Sequence, residues 1–378
     1  MQHYISRRQL LSGLGAGAAA LALNRPASAA PAAPVAIGKC KTYGAELVPA
    51  LDRMFDRLGG LGRLVKGKTV AIKINMTGYA DNRVGHTPAE LSHWTHPRLI
   101  GATAHLLARA GARRIRILEC GYCTAEPLEE IMLQANWDPQ LILGAAPHVE
   151  CENTNWLGGA KKYSRLQPPN GGYMFKSYDL NHSYEDCDVF VSLAKLKEHA
   201  TCGVTLSMKN CFGITPCTIY GDSAGGKDEP LEFPQSGRGI LHEGNKMPAG
   251  HRENDPTLPH EGGVRVPRVV ADLVAARPIH LAIVEGISTI SGGEGPWIEG
   301  CRPIAPGVLI AGLNPVSTDA VSMAVMGFDP MAGRGTAPFE TCDNHLLLAE
   351  AHGVGTRDLN RIEVVGTPVR EALFPFRR

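Results

Sequence analysis

Short apolar runs alternate along this chain with segments of helical spacing. Residues 69–75 (TVAIKIN), 114–119, 188–193 (DVFVSL), 279–285 and 308–312 read as strands, and residues 361–365 as a last one. Between them, residues 96–110, 126–135 and 266–276 carry apolar positions at the three-to-four spacing of a helix. Pro97 stands at the start of the first of these, Asn314-Pro315 looks like an N-cap followed by proline, and Gly327 looks like the stop of that last helix. Strands alternating with helices predict an α/β fold: a Rossmann-like, mainly parallel sheet with helices on both faces. Residues 217–263 break the pattern. They are rich in Gly, Pro, His and charge without a sustained period, so a long inserted loop is expected there, placed as a cover over a site.

The N-terminus changes the picture of where this domain works. Ser6-Arg7-Arg8-Gln9-Leu10-Leu11 opens an apolar run to about Leu23, rich in Gly and Ala, followed by Arg25 and the small residues Ala27-Ser28-Ala29-Ala30. This is the pattern of a twin-arginine signal peptide over residues 1–29, and it predicts a periplasmic protein handed to the twin-arginine translocation machinery. The run falls short of the roughly 20 strongly apolar residues a membrane anchor needs. Gly13, Gly15 and Gly17 lie inside it and follow no strand, so they make no dinucleotide-binding turn. Residues 30–67 are expected to be a lead-in segment and residues 68–378 the α/β domain.

Without residues 1–29 the chain loses Arg7, Arg8 and Arg25, leaving 35 of its 38 basic residues against 37 acidic ones, a net charge of −2. With no basic tract, nucleic acid is not an expected partner. The ten cysteines include a single Cys-x-x-Cys, Cys120 to Cys123. The ferredoxin cysteine pattern is absent, so a ferredoxin-type iron–sulfur cluster is not expected, whereas a metal ion stays admissible. His242, His251 and His260 recur every nine residues, which suits neither a helical metal pair nor a zinc finger, and they are expected at the surface.

Candidate chemistry falls at the predicted carboxyl ends of the strands, where open α/β sheets bind ligands. The first strand ends Lys73-Ile74-Asn75, with Lys73 and Asn75 on one face. The next ends Glu119-Cys120. The third runs into Lys195-Leu196-Lys197-Glu198-His199, where an extended chain puts Lys195, Lys197 and His199 on one face. The fourth ends at Glu285. Taken singly each is also a solvated strand end. A second cluster, Thr205 to Gly213 (TLSMKNCFG), places Lys209 one turn from Thr205 on a helix and brings in Asn210. Converging lysines need a partner, since two ammonium groups about 5 Å apart repel by roughly 3 kcal/mol at an effective dielectric of about 20. Such a cluster expects an anionic ligand, a carboxylate or a depressed pKa. The loop Ser291-Gly292-Gly293-Glu294-Gly295-Pro296 offers amides, Gly293 and Gly295 among them, for an anion nest or a plain turn. Asp319 is placed to point into the crevice or to favour its own helix N-terminus.

The combination of Lys73-Ile74-Asn75, Thr95-His96-Pro97, Lys195-Leu196-Lys197-Glu198-His199, Thr205 to Gly213, Gly292 to Pro296 and Asn314 to Asp319 resembles the domain of unknown function 362 family, over roughly residues 68–330. The resemblance implies little chemistry. Some relatives carry an appended ferredoxin module, which implies a redox setting, but this chain has none. It also has Glu285 where similar proteins carry Asp.

The expectation is therefore an exported enzyme acting on an anionic small molecule. Lys195, Lys197, His199 and Lys209 would do the chemistry, and Lys73, Asn75, Asn210, Glu285, Asp319, Gly293 and Gly295 would hold the ligand, or, for Asn75, Glu285 and Asp319, a divalent metal. Two alternatives stand beside it: a periplasmic anion-binding protein without turnover, and a metal or electron-transfer protein using Cys120, Cys123, Cys202 or Cys211.

Overall fold

A computed structural model describes residues 30–121, 124, 126–222, 237–244 and 252–377. The signal-peptide pattern and Cys123 lie outside them. The chain enters through strand β1 (Val35–Lys39) and helix α1 (Leu47–Arg57), then β2 (Thr69–Lys73), α2 (Pro97–Arg109), β3 (Arg114–Glu119), α3 (Leu128–Gln134) and β4 (Val149–Asn153). It continues with β5 (Val189–Lys195), the short helix α4 (Leu206–Asn210), α5 (Gly262–Ala276), β6 (Leu281–Gly286), β7 (Val308–Gly312), α6 (Pro315–Val325), α7 (His345–Ala351) and β8 (Val364–Gly366). The eight strands form one sheet in the order β8-β1-β7-β6-β5-β2-β3-β4. Only β7 runs against its neighbours, so the sheet is mainly parallel.

Strands β2, β5, β6 and β7 are buried along their whole length, which is why they read as continuous apolar runs. Alternation splits their side chains between two cores. Val70, Ile72, Val189, Val191 and Leu193 pack with α1 and α2 on one face, and Ala71 and Phe190 with α4 to α7 on the other. The helix signals are local and explicit. Asn314 accepts the Ser317 N–H, with Pro315 at the first helical position, and Gly327 (φ +84°) follows the helix end. His96 Nδ1 caps α2 by accepting the Arg98 N–H at 3.1 Å.

Three stretches differ from expectation. The presumed lead-in supplies β1, which sits inside the sheet between β7 and β8. Helix α5 begins at Gly262, four residues before its apolar period is evident, and tolerates Pro267 in its second turn. The Gly263 carbonyl that Pro267 cannot satisfy accepts the Asp343 N–H at 2.8 Å. Within the expected long loop, Cys217–Tyr220 and Gly239–His242 are single helical turns.

Strand order places the site. From β2 the chain adds β3 and β4 outward on one side, then crosses to add β5 and β6 on the other. The carboxyl ends of β2 and β5 therefore flank the point where winding reverses, the place where such sheets open a crevice.

Candidate functional site

A cleft of about 520 Å³ opens at this reversal. Its floor starts with Lys73, the last residue of β2. The Lys73 ammonium lies 2.6 Å from Glu119 Oε1, at the end of β3, and donates to the Ile74 carbonyl at 2.6 Å. Glu119 Oε2 accepts the Met76 N–H at 2.8 Å. Gly213 lets this lysine pass, because a Cβ there would stand 3.0 Å from Lys73 Nζ. Asn75 Nδ2 donates to Asn210 Oδ1 at 2.9 Å, and Asn210 Nδ2 donates to Ser192 Oγ at 3.0 Å, tying the two strand ends to α4. Asn75 Oδ1 is buried without a partner among the described residues.

Helix α4 is fixed from two sides. Asp319, on α6, accepts the Ser207 N–H and hydroxyl and the Met208 N–H at 2.6–2.9 Å, satisfying amides at the helix start. Leu206 adopts φ +46°, a left-handed conformation unusual for a branched side chain, at the residue that turns the chain into this helix. The reward is the position of Lys209. It is 9% exposed, its ammonium lies 4.3 Å from the Phe212 ring centre, and it makes no hydrogen bond among the described residues. Burial drops its pKa to about 8; Cys202 and Glu294 pull it up, and Arg238 and Lys73 push it down. Thr205 Oγ1, one turn earlier, is also buried without a partner.

After β5 the chain forms a short hairpin with two-residue strands, Glu198–His199 against Gly203–Val204. Lys197 Nζ donates to the carbonyls of His93 at 3.0 Å and Glu294 at 2.9 Å, with no carboxylate in contact. Burial first, and then Lys209 and Lys195, lower its pKa to about 7. His199 Nδ1 accepts the Thr201 N–H at 3.2 Å, which assigns the ring proton to Nε2. Burial and the neighbouring Lys209 hold this imidazole well below its usual pKa, so it is neutral. The Glu294 carboxylate accepts the Ala200 N–H at 2.9 Å and the Trp297 indole N–H at 3.0 Å. Arg238 and His242 close the wall; Arg238 Nε donates to the Thr215 carbonyl, and His242 packs edge-on to Phe212.

Six of the expected site residues line this one cleft: Lys73, Asn75, Lys197, His199, Lys209 and Asn210. Five do not. Lys195 is wholly buried, 2.7 Å from Glu285 Oε1 and bonded to the Glu90 carbonyl. Glu285 is equally buried and is filled by Lys195, the Tyr43 hydroxyl and the His96 N–H, so neither faces the cleft. Asp319 serves α4 as described, and burial lifts its carboxyl to about 7. Gly293 and Gly295 do not line the cleft, and the Gly292 N–H is taken by Glu198 Oε2 at 2.6 Å. The glycine loop turns the Glu294 carbonyl and carboxylate inward, while Gly293 and Gly295 pack against Ile298 and Trp297.

The sequence offers no reason to place Arg238, His242, Glu294 or Trp297 in the site. Arg238 and His242 sit in an aperiodic stretch; His242 lines the cleft although a surface position was expected for it, whereas His260 is exposed. Glu119 was visible as a strand end, but nothing local marks it as the partner of Lys73.

The cysteines are dispersed. Cys120 Sγ lies 3.1 Å from Thr154 Oγ1, Cys202 Sγ lies 3.3 Å from His345 Nδ1, and Cys211 bonds the Ser207 carbonyl. Among the described residues no three His, Cys, Asp or Glu side chains group to hold a metal ion.

Fold and site thus define an α/β protein with a cleft at the switch point of a mainly parallel sheet, lined by four cationic side chains and two carboxylates. Residues 70–324 match the family described as Domain of unknown function (DUF362), and the chain belongs to that family. It is also similar to the thylakoid-associated protein sll1697 of Synechocystis sp. (strain ATCC 27184 / PCC 6803 / Kazusa), 28% identical over 185 residues, or 48% of this chain and 50% of that protein. The chain spans about half the length of this curated relative. Among the described residues no helix is long and apolar enough to cross a membrane.

Proposed function

We propose that the protein is an enzyme that binds an anionic small molecule in this cleft and moves a proton on it. The observation that carries the reading is Lys209, a nine-tenths buried residue lining the cleft whose ammonium has no carboxylate in contact and no hydrogen-bond partner among the described residues. A charge left in that state raises the energy of the empty protein, and an anion is the partner that relieves it. Lys209 and Arg238 would hold the negative group and stabilise negative charge developing beside it. Lys197, with a pKa of about 7, exchanges a proton readily near neutrality, and the neutral His199 offers an Nε2–H to a substrate oxygen.

Calorimetric titration with inorganic phosphate and with acetate tests the binding half. The wild type is expected to bind at least one of them, and Lys209→Met to bind it at least about tenfold more weakly; a wild type that binds neither defeats the reading. For the proton step, small carboxylates with acidic C–H bonds are incubated in heavy water and followed by proton NMR. Wild-type exchange that is lost in Lys197→Met is the expected outcome. Binding with no exchange favours a periplasmic binding protein without turnover. An electron-transfer role has less support, because Cys120, Cys202 and Cys211 each bond a different neighbour.

Export belongs to the same proposal. The Arg7-Arg8 pair and the weakly apolar run after it are the grounds for twin-arginine delivery to the periplasm. Arg7→Lys combined with Arg8→Lys is expected to leave the precursor in the cytoplasm on fractionation; unaltered export would refute this route.

A further inference from the structure

Of the lysines gathered at these strand ends, one is placed to react as an amine rather than to serve as a fixed charge. Lys73 is paired with Glu119 at 2.6 Å, and Lys195, away from the cleft, with Glu285 at 2.7 Å. Lys197 is fully buried, and its N–H groups go to the carbonyls of His93 and Glu294. Lys209 lines the cleft with neither a carboxylate in contact nor a hydrogen bond among the described residues, and its nitrogen lies 4.3 Å from the Phe212 ring centre. A carboxylate partner favours the ammonium form, whose lone pair is taken by a proton. A lysine in a desolvated site beside other cations gives that proton up more easily, and the neutral amine is a nucleophile.

The backbone that presents Lys209 is fixed on both sides. Asp319 accepts the Ser207 and Met208 N–H groups at 2.9 Å, and Asn210 donates to Ser192 Oγ at 3.0 Å and to the Lys73 carbonyl at 3.3 Å. The left-handed Leu206 turns the chain into the short helix α4, which carries Lys209 to the cleft. A nucleophile held this way meets its target in a set geometry. A permanent positive charge would be better supplied by arginine, which stays protonated, and Arg238 already lines the same cleft. The groups around Lys209 do little to keep its proton in place. Burial and Lys209 itself hold the imidazoles of His199 and His242 below their usual pKa, so both are neutral. The Glu294 carboxylate is taken up with the Ala200 and Trp297 N–H groups.

We infer that Lys209 is a nucleophile that condenses with the carbonyl of an oxo acid, a small carboxylate bearing a ketone or aldehyde, whose anionic group is held at Arg238. The step needs no oxidant or reductant. A nitrogen–carbon bond forms, the carbon–oxygen bond breaks, and the ammonium form of the lysine gives up two protons that leave with the oxygen as water. The product is a protonated imine. It keeps the positive charge, so the attraction for the carboxylate survives the step, and it draws electrons from the neighbouring carbon, so a proton there passes more readily to Lys197. The inference rests on the reading above, that an anion binds in this cleft and a proton moves on it, and names the substrate class. The Lys209 pKa of about 8 supports it: roughly a tenth of this side chain is neutral at pH 7, against about a thousandth or less of an ordinary lysine.

The full chain is incubated near neutral pH with pyruvate and sodium cyanoborohydride, which reduces an iminium to a stable amine, and the modified lysines are mapped by peptide mass spectrometry. Lys161 and Lys162, both exposed, serve as references. Lys209 is expected to be labelled at least about tenfold faster than either reference, from its larger neutral fraction. Acetone has the carbonyl without the charge, so its labelling of Lys209, measured against the same references, should be at least about tenfold weaker than that of pyruvate, and added acetate should protect Lys209 from pyruvate. Acetate or phosphate binding by calorimetry while Lys209 labels no faster than Lys161 and Lys162 overturns the inference and leaves the anion reading intact. So does an adduct confined to Lys197. Equal preference for acetone and pyruvate overturns the oxo-acid assignment. If neither anion binds and no lysine of the cleft is labelled, the anion reading has failed and takes this inference with it.

Discussion

Replacing Lys209 with methionine should make the empty protein more stable and the cleft less able to bind. The methionine keeps most of the stem that fills the space beside Phe212 and removes only the ammonium. A pKa lowered from 10.5 to about 8 means the folded state disfavours the charged form. At about 1.4 kcal/mol per unit the cost is on the order of 3 kcal/mol when both states are compared below pH 8. Losing the ring contact returns about 0.5–1 kcal/mol, so a net gain of roughly 2 kcal/mol is expected. The sign with pH follows from proton counts. Between about 8 and 10.5 the unfolded chain holds a proton that the folded protein has released, so wild-type stability rises with pH in that window. The advantage of Lys209→Met should therefore be full near neutral pH and gone above about pH 10.5. Urea unfolding of both proteins without ligand at two pH values measures it, and phosphate titration measures the loss of binding. A variant that is less stable than wild type at neutral pH would refute the reasoning, because Lys209 would then have a partner in the folded state.

Anion affinity should be greatest where Lys197 and Lys209 are both protonated and should fall as pH rises through about 7 and then about 8; a flat profile from about pH 6 to 9 would contradict this assignment. Glu119→Ala strips the buried Lys73 of its carboxylate and should cost about 3–5 kcal/mol by urea unfolding, while Glu119→Gln, which keeps an acceptor for the Met76 N–H, should cost less. Lys195→Met paired with Glu285→Leu removes a buried ion pair that does not face the cleft, so phosphate affinity should survive the double change even where stability shifts; lost affinity would place this pair in the site after all.

How much of the fold was legible follows from where each element gets its information. Strands β2, β5, β6 and β7 announce themselves because strands buried in a mainly parallel sheet are apolar on both faces, and β3 by the apolar Ile115, Ile117 and Leu118 in its short run. The cap of α6 is equally local: Asn314 and Pro315 define it without help from the rest of the chain. Strand β1 is different. Val35–Lys39 is five residues long, ends in Gly38-Lys39, and gains its strand identity only by lying between β7 and β8, partners far away in the sequence. Strand β4 (VECEN) is a partly buried edge strand whose polar residues hide it. The start of α5 is masked by Gly262-Gly263 and Pro267, and the Asp343 amide that compensates comes from a distant loop.

The site shows the same division more sharply. Alternation assigned Lys195, Lys197 and His199 to one face, but alternation holds only while a strand continues. Strand β5 ends at Lys195, and the hairpin that follows turns Lys197 and His199 into the cleft while Lys195 stays under it. Lysines of one composition thus meet four fates, each set by residues far off in sequence. Lys73 meets Glu119, Lys195 meets Glu285, and Lys197 rests on the carbonyls of His93 and Glu294. Lys209 alone of these is left without such a contact among the described residues. The sequence can say that cations gather at strand ends. It cannot say which of them has already been neutralised, because that depends on pairings set by the sheet order. Only the cation left over is available to a ligand, so the residue with most to say about function is the one whose local sequence distinguishes it least from its neighbours.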